Sequence, residues 1–295
     1  MTSRRGDVRR VKVAILAVAL PLGALTQPLA ATRISAVRCD STAPFAAPRL
    51  SWRGDVVQWA EWPVRLGESS VRARVIVVRM PAARVRITLE IARAGGQIQP
   101  WSLDDAPTDA HIAVNAGQFT DSGPWGWVVH KQRELQPPGI GPLSGALVVD
   151  RAGVVAVLTA TELEGWRTTQ RSQEAVQSYP ILLTGDGRPP RALCDARAGL
   201  DLTHRDARLA VGVTRDGQVL FVLTRYEAPG GSVTRIPIGP TTPEMAEILR
   251  RLGADRALML DGGLSAQMLV RSATDSARWP GFRSVPLALV GRVTR

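Results

Sequence analysis

The chain has 295 residues, of which 45% are hydrophobic and 21% are charged. These proportions are typical of a globular protein and exclude a disordered chain, a collagen, a coiled coil and a polytopic membrane protein. The formal net charge is +11, but only Lys12 and Lys131 are lysines, and the arginines are scattered singly along the chain. Because there is no basic stripe and no nucleic-acid-binding motif, we expect no nucleic-acid partner. The dispersed positive charge would instead favour the approach of an anionic substrate.

The N-terminal residues have the layout of an export signal. Basic residues precede an apolar run from Val13 to Leu25, and the small residues Ala30 and Ala31 follow. The run is shorter than the roughly 20 residues that a membrane-spanning helix needs. We therefore predict that residues 1–30 form an export signal and that the protein is periplasmic or extracellular. An uncleaved N-terminal anchor is the alternative, and it would be the protein's only contact with a membrane.

The two cysteines, Cys39 and Cys194, fit an oxidising compartment. They could form one disulfide or remain two free thiols. The three histidines, His111, His130 and His204, have neither metal-ligand nor catalytic-triad spacing, so we expect structural roles for them. The sequence thus predicts no metal and no cofactor.

Residues 31–55 contain scattered prolines and are predicted to be a leader or linker, with the folded domain over residues 56–295. The first strong strand signals in this domain are the β-branched runs Val71–Met80 and Arg84–Ile91, which a short turn separates. They predict a pair of strands, and the alternation of polar and apolar residues in the second run predicts one solvated face.

The middle of the domain is also rich in strand signals. A short buried strand is predicted over His111–Val114. Two hairpins are predicted, Gly145–Asp150 with Val154–Thr159 and Leu209–Val213 with Val219–Thr224, each joined by a glycine-containing turn.

The clearest helix pattern covers Pro243–Leu252, where apolar residues recur every three or four positions. Thr241 and Glu244 predict a capping box at its start. An apolar strand, Ala257–Leu260, follows. With no internal repeat, the chain is predicted to be a single α+β domain with strand-rich mixed or antiparallel sheets and a few helices.

The strongest chemical signal is Asp261, which comes directly after that strand and is followed by Gly262, Gly263 and Ser265. A carboxylate at the end of a buried strand is costly unless it is hydrogen-bonded or functional. Two glycines let backbone N–H groups approach an anion, and the serine adds a hydroxyl. An ordinary Asp-Gly turn is the structural alternative. A serine nucleophile elbow is disfavoured because Gln267 replaces the glycine that it needs.

Four segments resemble, in order and spacing, motifs of the phosphodiester glycosidase family, over roughly residues 71–290. The segments are Val114–Phe119, Gln177–Leu182, Arg208–Gly212 and Ala257–Ser265. Three positions depart from the family pattern. Met259 replaces an asparagine, Leu264 replaces a third glycine, and Ala266 replaces a hydroxyl residue.

The resemblance implies an exported hydrolase that cleaves the bond between the anomeric carbon of a sugar and a phosphodiester oxygen in a glycan or envelope polymer. It casts Asp261 as the base or charge stabiliser at the anomeric carbon and Arg208 as the phosphate ligand. Asn115 would bind sugar hydroxyls or position water. The remaining positions expected to bind the anionic sugar-phosphate substrate are Gly117, Ser178, Gly262, Gly263 and Ser265.

A protein that binds an envelope glycan or polyanion without turning it over is the competing hypothesis. The less polar loop at Leu264 and Ala266 and the positive net charge favour it. Product analysis distinguishes the two, because a binding protein releases neither sugar nor phosphomonoester.

Overall fold

The computed structural model describes residues 31–39, 47–91, 93–94, 97–141, 143–195, 197, 200–273 and 275–294. The predicted export signal, residues 1–30, lies outside these. The chain from Ala31 onward forms one compact unit. Among the described residues no helix is both long enough and apolar enough to cross a membrane.

The largest sheet has eight strands and is antiparallel except at one edge, where the first two strands run parallel. Its order is β1-β2-β3-β17-β16-β19-β15, and β18 also pairs with β17. Its strands are β1 (Thr32–Ile34), β2 (Gln58–Leu66), β3 (Arg72–Pro81), β15 (Ile181–Thr184), β16 (Leu209–Thr214), β17 (Gln218–Glu227), β18 (Val233–Thr234) and β19 (Ala254–Met259).

Two five-stranded antiparallel sheets and two small hairpins complete the β structure. One five-stranded sheet, in the order β21-β20-β7-β22-β4, contains β4 (Val85–Glu90), β7 (Ile112–Asn115), β20 (Met268–Arg271), β21 (Ser276–Trp279) and β22 (Ala288–Val293). The other, in the order β11-β10-β14-β12-β13, contains β10 (Val128–His130), β11 (Arg133–Gln136), β12 (Gly145–Asp150), β13 (Val155–Thr159) and β14 (Ser172–Ser178). The hairpins are β5 (Arg93–Ala94) with β6 (Gln97–Ile98), and β8 (Phe119–Thr120) with β9 (Gly123–Pro124).

The two α-helices of the described chain are α1 (Ala160–Thr168) and α2 (Thr242–Arg251). In α2 the predicted capping box is present, with Thr241 and Glu244 exchanging hydrogen bonds. Helix α1 was not predicted from the sequence because only Leu163 of its residues is buried, so it has no apolar stripe to detect.

The eight-stranded sheet is buried on both faces. Along β3, Ile76 and Val78 pack into the core between the sheets, whereas Val75 and Val77 pack into the core that includes α2. Strand β17 divides its apolar residues in the same way. A strand that is covered on both faces has a continuous run of apolar residues in its sequence, as β3 does.

The strand-rich α+β fold, its single compact unit and both predicted hairpins are confirmed. The strand pair predicted from Val71–Met80 and Arg84–Ile91 is not. Both strands form, as β3 and β4, but a short 3₁₀ helix at Ala82–Arg84 redirects the chain into a different sheet. There β4 pairs with β22, and its alternate residues remain solvated as expected.

The segment predicted as a leader or linker over residues 31–55 contributes to the core. Strand β1 pairs with β2, and Ile34 and Val37 are buried beside α2. Cys39 is joined to Cys194 by a disulfide, so the first of the two alternatives for the cysteines is the one observed.

Candidate active site

The site lies where the chain crosses from the eight-stranded sheet to a five-stranded sheet. After β19, Leu260 donates its N–H to Leu209 at the start of β16, and Asp261 donates its N–H to Ala116 just after β7. The chain then enters β20, which pairs with β7. Three segments distant in sequence, at Asn115, Arg208 and Asp261, are thereby brought together.

Asp261 is a half-buried carboxylate at this crossover. The Ser265 hydroxyl, the Gly262 N–H and the Arg283 guanidinium favour its charged form, and the Asp206 carboxylate disfavours it. Burial nevertheless raises the pKa of Asp261 above its ordinary value, because desolvation penalises the charged form more than these contacts favour it. Such a carboxyl group can exchange a proton with a ligand under milder conditions than a solvated aspartate.

Asn115 is fully buried and both ends of its amide are occupied. Its Nδ2 donates to the carbonyl of Asp261 at 2.8 Å, and its Oδ1 accepts from the N–H of Gln267 at 2.9 Å. It therefore fixes the two ends of the crossover segment. This geometry gives Asn115 a positioning role within the protein, and the hypothesis that it binds sugar hydroxyls or positions water stays a prediction.

The two glycines after Asp261 serve close backbone packing. Gly263 donates its N–H to the carbonyl of Ala207 at 2.7 Å, and the Gly262 N–H favours the charged form of Asp261. The Gly263 amide is thus engaged within the protein, and the hypothesis that the two amides line an anion pocket stays a prediction. A Cβ atom on Gly262 would lie 2.7 Å from the Ala207 carbonyl oxygen, so the position has no space for a side chain.

Gly263 has a φ of +57°, and a Cβ atom there would lie 2.8 Å from Oδ2 of Asp206. Gly217 also has a positive φ, but a Cβ atom there would meet nothing within 4 Å. We expect Gly217→Ala to cost only the backbone strain, about 1 kcal/mol. Gly263→Ala should cost more, about 2 to 3 kcal/mol, since Asp206 must also move. Urea unfolding of both variants checks this, and equal losses would contradict the contact with Asp206.

Arg208 lies beside Asp206 at the start of β16. Its Nε donates to the carbonyl of Pro240 at 3.1 Å and its Nη2 to the carbonyl of His204 at 2.8 Å. Burial lowers the pKa of Arg208, while Asp206 favours its charged form. The two hydrogen bonds hold the guanidinium in place, and among the charged groups Asp206 has the largest effect on its pKa.

The other predicted substrate-binding residues are buried. Gly117 lies against the backbone of Gln177, where a Cβ atom would come within 2.4 Å of the carbonyl oxygen. The Ser178 hydroxyl is completely buried, close to Gln118 Oε1 and the Met259 carbonyl. Ser265 is 4% exposed, and its hydroxyl favours the charged form of Asp261. These buried residues support the site from the interior of the protein, and their geometry does not place them in contact with a substrate.

Arg225 supports the same region from β17. Arg225 is 2% exposed and has no ion pair with any carboxylate of the described residues, and its Nη2 donates to the carbonyls of Ala266, Trp279 and Pro280. Burial lowers the pKa of Arg225 to about 10. It joins the segment after Asp261 to the segment that carries Arg283.

Sequence reasoning did not single out Asp206 or Arg283, the two charged residues that face Asp261. Asp206 stands two positions before Arg208, ahead of a buried strand, and this placement is the signal that could have revealed it. Arg283 lies in a polar loop with no distinguishing pattern. Its position follows only from the fold, because Phe282 and Arg283 donate their N–H groups to the Leu264 carbonyl.

Arg283 also borders a cavity of about 480 Å³. Its guanidinium stacks over the Phe119 ring at 4.7 Å. The cavity is lined on this side by Thr120, Ser122 and Ser284, whose hydroxyls could bind a polar ligand. Arg283 therefore borders a ligand-sized space and also acts electrostatically on Asp261, which is not among the residues that line that space.

Of the three positions that depart from the family pattern, two are in the core. Met259 is 3% exposed and Ala266 is fully buried, whereas Leu264 is 49% exposed. The departures at Met259 and Ala266 thus change core packing, and Leu264 is the one that changes the surface of the site. Within the described residues, no group of three or more His, Cys, Asp or Glu side chains is arranged to hold a metal ion.

Comparisons with known proteins bear on the fold and on the family. The catalytic domain of zebrafish N-acetylglucosamine-1-phosphodiester alpha-N-acetylglucosaminidase, auto-inhibited by its pro-peptide, is similar in structure with a TM-score of 0.61 and 16% identity over 88% of this chain and 87% of that one. A hypothetical protein from Synechocystis has a TM-score of 0.52 and 19% identity over 84% and 64% of the two chains. A protein from Burkholderia pseudomallei K96243, described as a candidate exported protein, has a TM-score of 0.52 and 16% identity over 76% and 75%.

These likenesses concern the fold. No curated protein matches the sequence significantly. The sequence profile of phosphodiester glycosidases, in contrast, matches residues 108–290, which is more than half of the chain and includes Asn115, Arg208, Asp261 and Arg283. The chain therefore belongs to the phosphodiester glycosidase family.

Proposed function

We propose that this protein is an exported hydrolase that cleaves a sugar 1-phosphodiester between the anomeric carbon and the phosphate oxygen. The observation that carries the proposal is the Asp261 carboxylate, which is half-buried, has a raised pKa and is influenced by the charge of Arg283, a residue that borders a cavity. Family membership supports the reaction class. Phosphate is a good leaving group because the second pKa of a phosphomonoester is near 6.

The charges around the site suit a phosphodiester. Arg283 is exposed, faces Asp261 and borders the cavity, so it is the cation best placed to receive the phosphate. An arginine can bind two phosphate oxygens at once through its planar fork. Arg208, which was expected in this role, is held by two carbonyls and Asp206 and would add a positive field from behind.

The test uses the methyl diester of N-acetylglucosamine 1-phosphate, chosen after the sugar in the zebrafish protein's name, with the corresponding glucose and mannose diesters. Phosphorus NMR should show the diester signal replaced by methyl phosphate in equal amount to free sugar. Release of sugar 1-phosphate would assign cleavage to the other ester bond. No turnover of any diester, with binding retained, would favour the glycan-binding alternative.

That alternative rests on Leu264, whose exposed side chain makes the loop beside Asp261 less polar than the family pattern. A binding protein with the same fold would hold the diester in a complex and release no product. Equilibrium dialysis with the same diesters measures this directly. An anionic glycan would remain the ligand in either case.

The proposed location is outside the cytoplasm, in the periplasm or beyond. The N-terminal sequence pattern and the Cys39–Cys194 disulfide support it, since such bonds persist in oxidising compartments. Expression of the full chain followed by cell fractionation should recover the protein outside the cytoplasm, either free or held by an uncleaved N-terminal anchor.

A further inference from the structure

Most of the large apolar side chains that the described chain exposes come from three segments near the candidate active site. Of seven such side chains, five are Val233, Ile236, Ile238, Leu264 and Phe282, and Phe282 is the most exposed of the five at 56%. We call these five residues the apolar patch. A single exposed apolar side chain is ordinary on a protein surface, whereas a cluster of them is typical of a surface that binds an apolar partner.

Direct contacts bring the three segments of the apolar patch together. The N–H of Phe282 donates to the Leu264 carbonyl at 2.8 Å. Arg235 belongs to the segment that carries the two isoleucines, and its guanidinium lies 4.7 Å from the centroid of the Phe282 ring. This hydrogen bond and this cation–π contact place the three segments side by side.

The apolar patch adjoins the candidate active site. Leu264 belongs to the loop that follows Asp261, and Arg283 is the next residue after the aromatic member of the patch. The segment with the isoleucines continues to residue 240, whose carbonyl accepts from Nε of Arg208 at 3.1 Å. A ligand that Arg283 holds by one end could therefore extend over the patch.

Arg283 borders two surfaces of different character. One is the cavity of about 480 Å³, in which hydroxyls of Thr120, Ser122 and Ser284 are available to a ligand. The other is the apolar patch, and no member of the patch lines that cavity. A sugar needs hydrogen-bonding groups, whereas a hydrocarbon chain gains free energy by covering apolar surface. The arrangement offers one surface to a sugar and another to a hydrocarbon, with one guanidinium common to both.

The cations at the apolar patch suit an anion that carries an apolar group. Arg235 and Arg283 are both exposed, and neither forms a salt bridge with a carboxylate of the described residues. Each guanidinium lies over an aromatic ring instead, at 4.7 Å from its centroid. A guanidinium stacked in this way still presents its N–H groups in its own plane, where they can bind phosphate oxygens.

We propose that the apolar patch binds the alcohol portion of the substrate and that this portion is a hydrocarbon chain, so that the protein acts on sugar 1-phosphodiesters of long-chain alcohols. This inference rests on the proposed function and specifies its substrate class. In the reaction the bond between the anomeric carbon and the phosphate oxygen breaks, and its electron pair stays with that oxygen. Water supplies the hydroxyl of the free sugar, and its remaining proton goes to the phosphate. The second product is the phosphomonoester of the long-chain alcohol.

The experiment measures kcat/KM for the methyl, butyl and octyl diesters of N-acetylglucosamine 1-phosphate, all below the concentrations at which they form micelles. The proteins are the parental chain, the double variant Ile236→Ser with Phe282→Ser, and the control Val154→Ser. Val154 is 54% exposed but lies in the turn between β12 and β13, outside the patch. Urea unfolding reports whether each variant folds.

We expect kcat/KM of the parental protein to rise about twofold for each added CH₂ group, which is half of the roughly fourfold gain that complete burial would give. The octyl diester should then be cleaved about 100-fold more efficiently than the methyl diester. In the double variant this ratio should fall to about 10-fold or less, and Val154→Ser should keep the parental ratio. A parental ratio near one, or a ratio that the double variant retains, overturns the proposal.

A binding measurement separates failure of this inference from failure of the proposed function. Isothermal titration calorimetry compares octyl phosphate with methyl phosphate, and neither ligand requires turnover. If no diester is cleaved, the proposed function fails, but tighter binding of octyl phosphate that the double variant loses would still support the patch as the site of an alkyl phosphate. Equal binding of the two phosphates would overturn that as well.

A membrane surface is the other occupant that the test addresses. Sedimentation with phosphatidylglycerol vesicles measures whether the protein binds an anionic lipid surface. Binding to vesicles that the double variant loses, without any preference for octyl phosphate over methyl phosphate, would assign the patch to a membrane and overturn the proposal.

Discussion

We expect Asp261→Asn to lower kcat on a sugar 1-phosphodiester by about 10³-fold or more, within the range for loss of an acid–base or charge-stabilising carboxylate. Asparagine retains an oxygen that can accept from Gly262 N–H and the Ser265 hydroxyl, so the loop should keep its shape. The matched control is Asp255→Asn, at the opposite end of β19. Steady-state kinetics with phosphorus NMR detection checks the prediction, and parental turnover by a folded Asp261→Asn would refute the role of this carboxylate.

The same substitution has a predicted effect on stability. Because burial raises the pKa of Asp261, the stability that this group contributes is present below its ordinary pKa and is lost as pH rises through its raised value. At neutral pH the charged form is therefore unfavourable in the folded protein. Asp261→Asn should unfold at an equal or higher urea concentration than the parental protein, and the difference should shrink in acid.

The second large effect concerns the Cys39–Cys194 disulfide, which joins cysteines 155 residues apart. In the chain-entropy account, a cross-link over this separation stabilises the fold by about 5 kcal/mol, because it restricts the unfolded chain. The double variant Cys39→Ser with Cys194→Ser should lose much of this, about 3 to 5 kcal/mol. Equilibrium urea unfolding measures it.

The control for this prediction is the parental protein with a reducing agent. It should unfold at the same urea concentration as the double variant, whereas the oxidised parental protein should be more stable than both. The segment that carries Cys39 also pairs through β1 and buries Val37, so its local packing remains after the bond is lost. Identical unfolding of all three samples would show that the cross-link contributes nothing.

Sequence patterns predicted those elements whose signals are local. The hairpins β12–β13 and β16–β17 have glycine turns between apolar runs, and α2 combines a capping box with an apolar stripe. The position of Asp261 after a buried strand was predicted for the same reason. In each case the residues that specify the structure are neighbours in the chain.

Features that depend on partners distant in sequence were not predicted. The sequences of β3 and β4 predict a hairpin, but in the structure each pairs with a strand far along the chain, β17 and β22 respectively. Asn115 looked like a ligand-binding amide because nothing in the sequence reveals that Asp261 and Gln267 occupy both its ends. Asp206 and Arg283 face Asp261 only after three separate loops have met.

The two glycines after Asp261 show that a motif typical of a ligand-binding site can also serve backbone packing. A pair of glycines after a carboxylate suggests an anion pocket, but in this fold the N–H of Gly263 is taken by Ala207. The bare Cα of Gly263 instead makes room for Asp206. The location of the site stays a prediction, whereas the structure gives a physical reason for the glycine in the neighbouring Asp206 carboxylate.

The crossover from β19 to β20 joins the eight-stranded sheet to the five-stranded sheet that contains β7. Activity should therefore depend on how these two sheets are aligned. Asn115 belongs to one sheet and Arg208 directly precedes a strand of another, and the adjacent residues Leu260 and Asp261 are hydrogen-bonded one to each. A slippage of one layer over the other by a fraction of an ångström would leave every strand intact and yet separate the reacting groups. Loss of activity on warming should therefore precede any change in circular dichroism.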